Sequence, residues 1–337
     1  MRKTITPDDE LYQLYSTAEL ENLIANLRLH HEIPLQYSYF GKGAQSWDAY
    51  AKRMTDEGTT NIITVGAQLL ALNDAYVEGL LAGYKKVNVI DITIGNAMPV
   101  RPFLQQLLDM QKQVTYTGLD FSPDILAIVK NNIQMWFKGK IPFTGHRIDI
   151  NYDRFDQIIC NNDPDAINII LYFGGMASNF KTPATSFRII HDSLGERDLF
   201  MYDDKLDTPV SRKFFDFNPE PINQSVTQIL SPRHQWLLDI LNIDPSLYEV
   251  EMTFDHKAFE RRIQVKLKED ICVYFSFNGV RKSADLDKHD TILLVRVTHN
   301  SAQDIYELLD KTGFDLLHAS HTPDTQYLLS ISRIKRS

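Results

Sequence analysis

Three short apolar runs rich in β-branched residues, separated by stretches of helical spacing, restrict this chain more than any other feature. Residues 87–92, 114–120 and 167–173 each read as a buried strand. Between and after them, residues 99–108, 122–136 and 182–194 carry helical periodicity, the second opened by Ser122-Pro123-Asp124 as cap and first turn. A further strand at 199–202 runs into Asp203-Asp204. Parallel strands can be joined only through a crossover, so this alternation predicts a parallel sheet with helices on both faces. The fold class is α/β.

The flanks have a different texture. Leu20, Leu23, Ile24 and Leu27 follow helical spacing behind a cap at Ser16 or Thr17, and residues 61–82 read as one long helix closed by Gly83. Downstream, residues 248–254, 259–267 and 272–277 resemble successive antiparallel strands with polar residues interleaved. The C-terminal part returns to a strand (291–298), a helix (301–312) and two strands (315–320 and 326–331). No low-complexity linker intervenes, so a second domain is expected as an α+β insertion packed against the first.

Composition excludes several classes of function. The 337 residues carry 35 Lys+Arg against 44 Asp+Glu, a net charge of −9, which argues against a nucleic-acid partner held by phosphate neutralisation. With 43% hydrophobic and 23% charged residues the chain has a globular mixture. Cys160 and Cys272 are the only cysteines, too few for a zinc cluster or disulfide framework, and a reducing, cytoplasmic setting is expected. The least polar stretch, 62–81, is interrupted by Asn73, Asp74 and Glu78, so no membrane partner is expected. Residues 1–10 turn acidic where a secretory leader would turn apolar, which predicts no export. His30-His31 lacks further ligands at suitable spacing, and no metal site is expected.

In an open α/β sheet, ligands bind where strands end and helices begin. The first strand ends in Asp91-Ile92-Thr93-Ile94-Gly95, a turn with one glycine where a dinucleotide fingerprint needs three. It reads either as an ordinary strand-helix turn or as a close approach to a ligand. Asp120, at the end of the second strand, can accept bonds from both ribose hydroxyls or cap the helix that begins at Ser122. The strand at 145–150 again ends in an acid, Asp149, followed by Ile150, a pair able to bond an exocyclic amine and pack on adenine. Three acids at successive strand ends suggest a nucleoside without phosphates, because carboxylates would repel a pyrophosphate.

That pattern resembles the Rossmann-like, S-adenosylmethionine-dependent methyltransferases, and most of the chain is similar to the histidine-specific methyltransferase family. Residues 37–48 resemble the family's Tyr…Gly-Ser…Phe-Asp segment, 91–95 its Glu-Leu-Gly-Ser-Gly turn, and 171–180 its Phe-Leu-Gly-Ser-x-x-Gly-Asn-Leu motif. The resemblance implies a class I methyltransferase sheet with S-adenosylmethionine as cofactor, in a domain spanning 61–202 and 301–337. It implies a substrate domain spanning 1–60 and 203–300. Asp91, Thr93, Gly95, Asp120, Asp149 and Ile150 would hold the cofactor. Asn179 would face the substrate's amino and carboxylate groups, and Asn179, Tyr39 or the Asp203-Asp204 pair could orient an acceptor amine or pass on its proton. For Asp203-Asp204 the alternative is a solvated strand-end turn.

Departures from the family pattern bear on the substrate. Thr93 stands where the family has glycine, and the family's Pro-x-Tyr-Tyr-x-Thr-Arg-x-Glu signature is absent from residues 54–62. Phe215 takes the place of a tyrosine. Residues 294–298 match a Glu-Val-Ser segment, with Arg296 at the glutamate that binds imidazole in the family and Thr298 at the serine. An arginine cannot accept the imidazole N–H, although it can clamp a carboxylate; alternatively it faces solvent or pairs with an acid. The expectation is an N-methyltransferase for a small amino-acid-like metabolite other than histidine. The alternative is a degenerate, non-catalytic relative that binds the nucleoside or a partner protein.

Overall fold

A computed structural model of the chain describes residues 2–58, 60–159, 163–209 and 230–335. It divides into two compact units, Met1–Trp47 with Lys213–Thr298, and Asp48–Arg212 with His299–Ser337. Helices and strands are numbered here in chain order.

The larger unit is built on a seven-stranded sheet of β2 (Lys86–Ile92), β3 (Gln113–Asp120), β4 (Phe143–Arg147), β5 (Ala166–Tyr172), β6 (Leu199–Lys205), β12 (Phe314–His321) and β13 (Tyr327–Ile334). Its order is β12-β13-β6-β5-β2-β3-β4. Val87 stands opposite both Val114 of β3 and Ile167 of β5 in parallel pairing, while β13 is antiparallel to β6 and β12. Helices α6 (Arg101–Asp109), α7 (Pro123–Phe137) and α8 (Pro183–Ser193) follow β2, β3 and β5, as the alternation predicts, and α10 (Ala302–Lys311) precedes β12. Every residue of β5 is buried, which is why the run lacks polar alternation. On one face, Phe187 of α8 packs on the rings of Tyr172, Phe200 and Tyr202 at 5.0–6.0 Å between centroids.

Residues 61–82 form two helices, α4 (Val65–Leu72) and α5 (Asp74–Leu81), instead of one. The break is at buried Asn73, whose Nδ2 donates to Leu69 O at 2.7 Å and to Ser320 Oγ at 2.6 Å. A polar side chain bonding its own helix and a distant strand interrupts the backbone ladder in a way periodicity does not show. Of the residues that the resemblance groups with the substrate domain, this unit also takes in 48–58, 60, 203–209, 299 and 300. Asn96 Nδ2 donates to Asp48 Oδ1 at 3.0 Å, and β6 continues through Asp203 and Asp204 beside β13.

In the smaller unit, α2 (Thr17–His30) follows α1 (Asp9–Leu14) and opens on a capping box, Ser16 with Glu19. Leu20, Leu23, Ile24 and Leu27 are its buried face, as their spacing predicts. The downstream strands are divided between two sheets. β7 (Tyr248–Asp255), β8 (Glu260–Leu267) and β11 (Thr291–Thr298) form one antiparallel sheet. β9 (Ile271–Phe277) leaves it to pair with β10 (Val280–Leu286) and, in parallel, with β1 (Lys3–Ile5). Helix α3 (Gly41–Asp56) and helix α9 (Pro232–Ile240) lie in stretches to which the sequence reading assigned no element. Among the described residues no helix is long and apolar enough to cross a membrane.

Candidate active site

The strand order reverses between β2 and β5: one crossover leads from β2 to β3, while β5 lies on the other side. Loops leaving the carboxyl ends of these strands diverge there and open the sheet to a ligand. After β2, Thr93, Gly95 and Ala97 have φ of 55°, 56° and 61°. The left-handed region disfavours a β-branched side chain by about 1–2 kcal/mol, which explains why the family carries glycine at position 93. Thr93 keeps the conformation through its N–H to Leu119 O at 2.8 Å and its Oγ1 to Ile92 O at 2.6 Å. Both positions that match family glycines, 93 and 95, therefore retain left-handed backbone despite the threonine. Gly118 of β3 supports the turn, since a Cβ there would stand 2.6 Å from Ile94 Cδ1.

Asp91, Asp120 and Asp149 all belong to this carboxyl edge, with different surroundings. Asp91 is buried, and Tyr116 Oη donates to its Oδ2 at 2.6 Å; desolvation pushes its carboxyl up to about 8. Asp120 ends β3 partly exposed, and its Oδ1 accepts from Ser122 N at 2.8 Å. It therefore does serve the turn before α7, where Ser122 caps the helix itself. Desolvation pushes Asp120 up to about 7. β4 stops at Arg147, two residues short of Asp149, which lies in the following turn with Oδ1 accepting from Asn151 N and Nδ2 at 2.9 and 3.0 Å. Ile150 is buried with Ile90, Ile92 and Leu119 in the sheet's core.

The turn after β5 is tied to β6. Gly174 and Gly175 have φ of 83° and 64°, and Gly174 N donates to Asp203 Oδ1 at 2.8 Å. Asp204 accepts from Ser178 Oγ and Tyr202 Oη at 2.8 Å and from Asn300 Nδ2 at 3.1 Å. Burial pushes the Asp204 carboxyl up and these bonds pull it back. Asp203 and Asp204 are thus strand residues buried to 0% and 2% exposure, and the solvated-turn reading fails. The short turn of 3-10 helix at Met176–Asn179 presents Asn179, whose Nδ2 makes long contacts, 3.4 Å to Gly175 O and 3.6 Å to Met176 Sδ. The structural role of Ser178 and Asn300 had no sequence signal, because their link to Asp204 exists only once distant segments meet.

In the smaller unit, Tyr39 Oη accepts from Arg233 Nη1 at 2.7 Å, and the Arg233 guanidinium lies 4.8 Å from the ring centres of both Tyr39 and Trp47. Arg296 is nearly buried on β11; its Nη2 donates to Glu32 at 2.6 Å and its Nη1 to Glu260 at 3.2 Å. Glu260 also binds Arg262 Nε at 2.5 Å, and Arg262 reaches Asp255 at 2.8 Å. The acid-pairing alternative for Arg296 holds, and its guanidinium is not an open carboxylate clamp. Thr298 ends β11 opposite Glu260. Phe215 lies outside the described residues.

The residues of the carboxyl edge suit the cofactor that the resemblance implies. A left-handed turn brings backbone close, Asp120 stands at the strand end where the resemblance implies a ribose contact, and among the described residues Asp91, Asp120 and Asp203 have no lysine or arginine partner. Carboxyls held toward the neutral form with no cationic partner offer nothing to a pyrophosphate, whereas a cationic, phosphate-free nucleoside would draw them into their charged form. Numbered within the sheet, the strands run 3-2-1-4-5-7-6 with the seventh antiparallel, the class I methyltransferase arrangement expected from the sequence.

Comparison with curated proteins gives no match. Among solved structures the chain is similar to magnesium protoporphyrin IX methyltransferase from Synechocystis PCC 6803, at 11% identity and TM-score 0.45, over 89% of this chain and 98% of that one. It is also similar to DesVI of Streptomyces venezuelae, at 9% identity and TM-score 0.42, over 85% and 98%. For the glycopeptide N-methyltransferase MtfA with S-adenosylhomocysteine the figures are 12% and 0.39, over 80% and 90%. The family model described as histidine-specific methyltransferase, S-adenosylmethionine-dependent, matches residues 21–334. This chain belongs to the histidine-specific, S-adenosylmethionine-dependent methyltransferase family.

Proposed function

We propose that the protein methylates an amine nitrogen of a small amino-acid-like metabolite other than histidine. The observation that carries this reading is the state of position 296. Where the family's glutamate accepts an imidazole N–H, this chain has a guanidinium, a donor without an acceptor, and the two carboxylates nearest to it, Glu32 and Glu260, are engaged in holding it.

S-adenosylmethionine, when bound, supplies an electrophilic methyl group, so the protein's part is alignment, exclusion of water and handling of the amine's proton. Asp120 is assigned to the ribose hydroxyls, with the Oδ1 bond to Ser122 N fixing the orientation of its carboxylate. The turn at 93–97 is assigned to the methionine end of the cofactor, and Asp149 and Ile150 to adenine. Asn179 is assigned to the acceptor; its long contacts to Gly175 and Met176 are weak enough to exchange for a ligand. Tyr39 and Thr298 keep their assignment to the substrate.

Calorimetry with S-adenosylmethionine and S-adenosylhomocysteine tests the cofactor. Micromolar binding is expected, and binding of neither favours the non-catalytic reading. Methyl transfer to a panel of amino acids and biogenic amines, followed by mass spectrometry, tests the acceptor. Turnover of free histidine above the other amines would refute the assignment.

A further inference from the structure

The carboxyl edge holds one acid oxygen that nothing among the described residues uses. Asp203 is fully buried, its Oδ1 accepts from Gly174 N at 2.8 Å, and its Oδ2, equally buried, has no hydrogen-bond partner. A buried carboxylate oxygen without a donor carries a desolvation penalty that no bond repays, so it calls for a proton or for a partner arriving from outside. The titratable groups facing it are Asp91 of β2, Asp204 and Tyr202 of β6 and Tyr327 of β13; Lys205, two residues along β6, gives its ammonium to Tyr327 Oη at 3.2 Å. From α4, Gly66 lies against it. A Cβ there would stand 3.5 Å from Asp203 Oδ2, 3.4 Å from Pro99 and 3.1 Å from the Phe173 ring, so position 66 brings backbone and no side chain to the oxygen. The acids are not arranged as a metal-binding group among the described residues.

We propose that Asp203 Oδ2 receives the positive charge of an organic cation, a sulfonium or an ammonium, where β5 and β6 end. Burial, with Asp204 and Asp91 nearby, holds this carboxyl protonated well above the ordinary carboxylate range. A fixed positive charge reverses that preference: the carboxyl ionises, its proton passes to solvent, and the carboxylate and the cation remain as a pair. Asp203 thereby links occupancy of the edge to release of a proton. The inference rests on the methyltransferase reading for its choice of probe.

The test is titration of the full chain with S-adenosylmethionine in two buffers of equal pH and different ionisation enthalpy, which counts protons released per ligand bound. The wild type is expected to release close to one proton more than Asp203→Asn. That variant keeps an oxygen for Gly174 N and puts an amide at the lone position, and its melting curve checks the fold. S-adenosylhomocysteine keeps the ammonium and lacks the sulfonium charge. Equal extra release with both ligands assigns the ammonium, and extra release with S-adenosylmethionine alone assigns the sulfonium. Equal release by wild type and variant overturns the proposal. Should Asp203→Asn fail to fold, Gly66→Ala, which sets a methyl against Oδ2, must weaken S-adenosylmethionine binding at least tenfold, and unchanged affinity overturns the proposal. Failure of the wild type to bind either ligand overturns the methyltransferase reading itself.

Discussion

Substitution of Arg296 by methionine keeps most of the stem's volume and removes the guanidinium that joins Glu32 to Glu260. Removing one partner of a buried ion pair leaves the other charged and desolvated, at about 3–5 kcal/mol. Two features moderate the loss here: the Glu32 side chain keeps 20% exposure, and Glu260 retains Arg262 at 2.5 Å. The expected loss is therefore about 2–3 kcal/mol for the smaller unit. Trp47 and Trp236 belong to that unit and Trp136 to the other, so urea unfolding followed by tryptophan emission in a Trp136→Phe background reports on it alone. With a slope of about 2 kcal/mol/M, the midpoint should fall by about 1 M. Adding Glu32→Gln removes the carboxylate left without a cation, while Glu260 keeps Arg262, and should recover about 1 kcal/mol. A midpoint change below about 0.3 M, or no recovery in the double variant, would show that the arginine is not held by these acids.

Two further outcomes follow from the carboxyl edge. Asp91 is raised to about 8 in the folded chain from an ordinary 3.8, so the native state binds one more proton than the unfolded state between those values. Its contribution to stability is full below about pH 4 and is lost as pH rises toward 8, and Asp91→Asn should flatten that decline in melting temperature between pH 5 and 8. An unchanged slope would remove Asp91 from the account. Thr93→Gly relieves the left-handed strain at φ 55° but loosens the unfolded chain, so stability should change by no more than about 1 kcal/mol, with cofactor affinity in calorimetry equal or improved. A tenfold loss of affinity would mean that the Thr93 side chain itself holds the ligand.

Local chemistry was legible in the sequence wherever neighbours along the chain sufficed. The alternation of β-branched runs and helical spacing predicts the parallel sheet, Ser16 is one of two cap candidates ahead of the helical spacing at 20–27, and Asp91 and Asp120 read as strand-end acids. Periodicity encodes which face an element buries, and that is decided within a few turns or residues. The matching of residues 91–95 and 171–180 to family motifs located the carboxyl edge in the same way.

What remained depends on groups far apart in the chain. Asn73 breaks the helix predicted at 61–82 by bonding Ser320, β9 leaves the sheet of β8 to join β1, and Arg296 finds Glu32 and Glu260 instead of solvent. Asp203-Asp204 reads as a polar turn in sequence; the fold extends β6 through it beside β13 and buries both carboxyls. The sequence alone thus determined the fold class and the strand-end acids along one edge of the sheet. The tertiary structure decided which charges meet a partner and which lose their water, because desolvation and ion pairing are set by segments that touch only after folding.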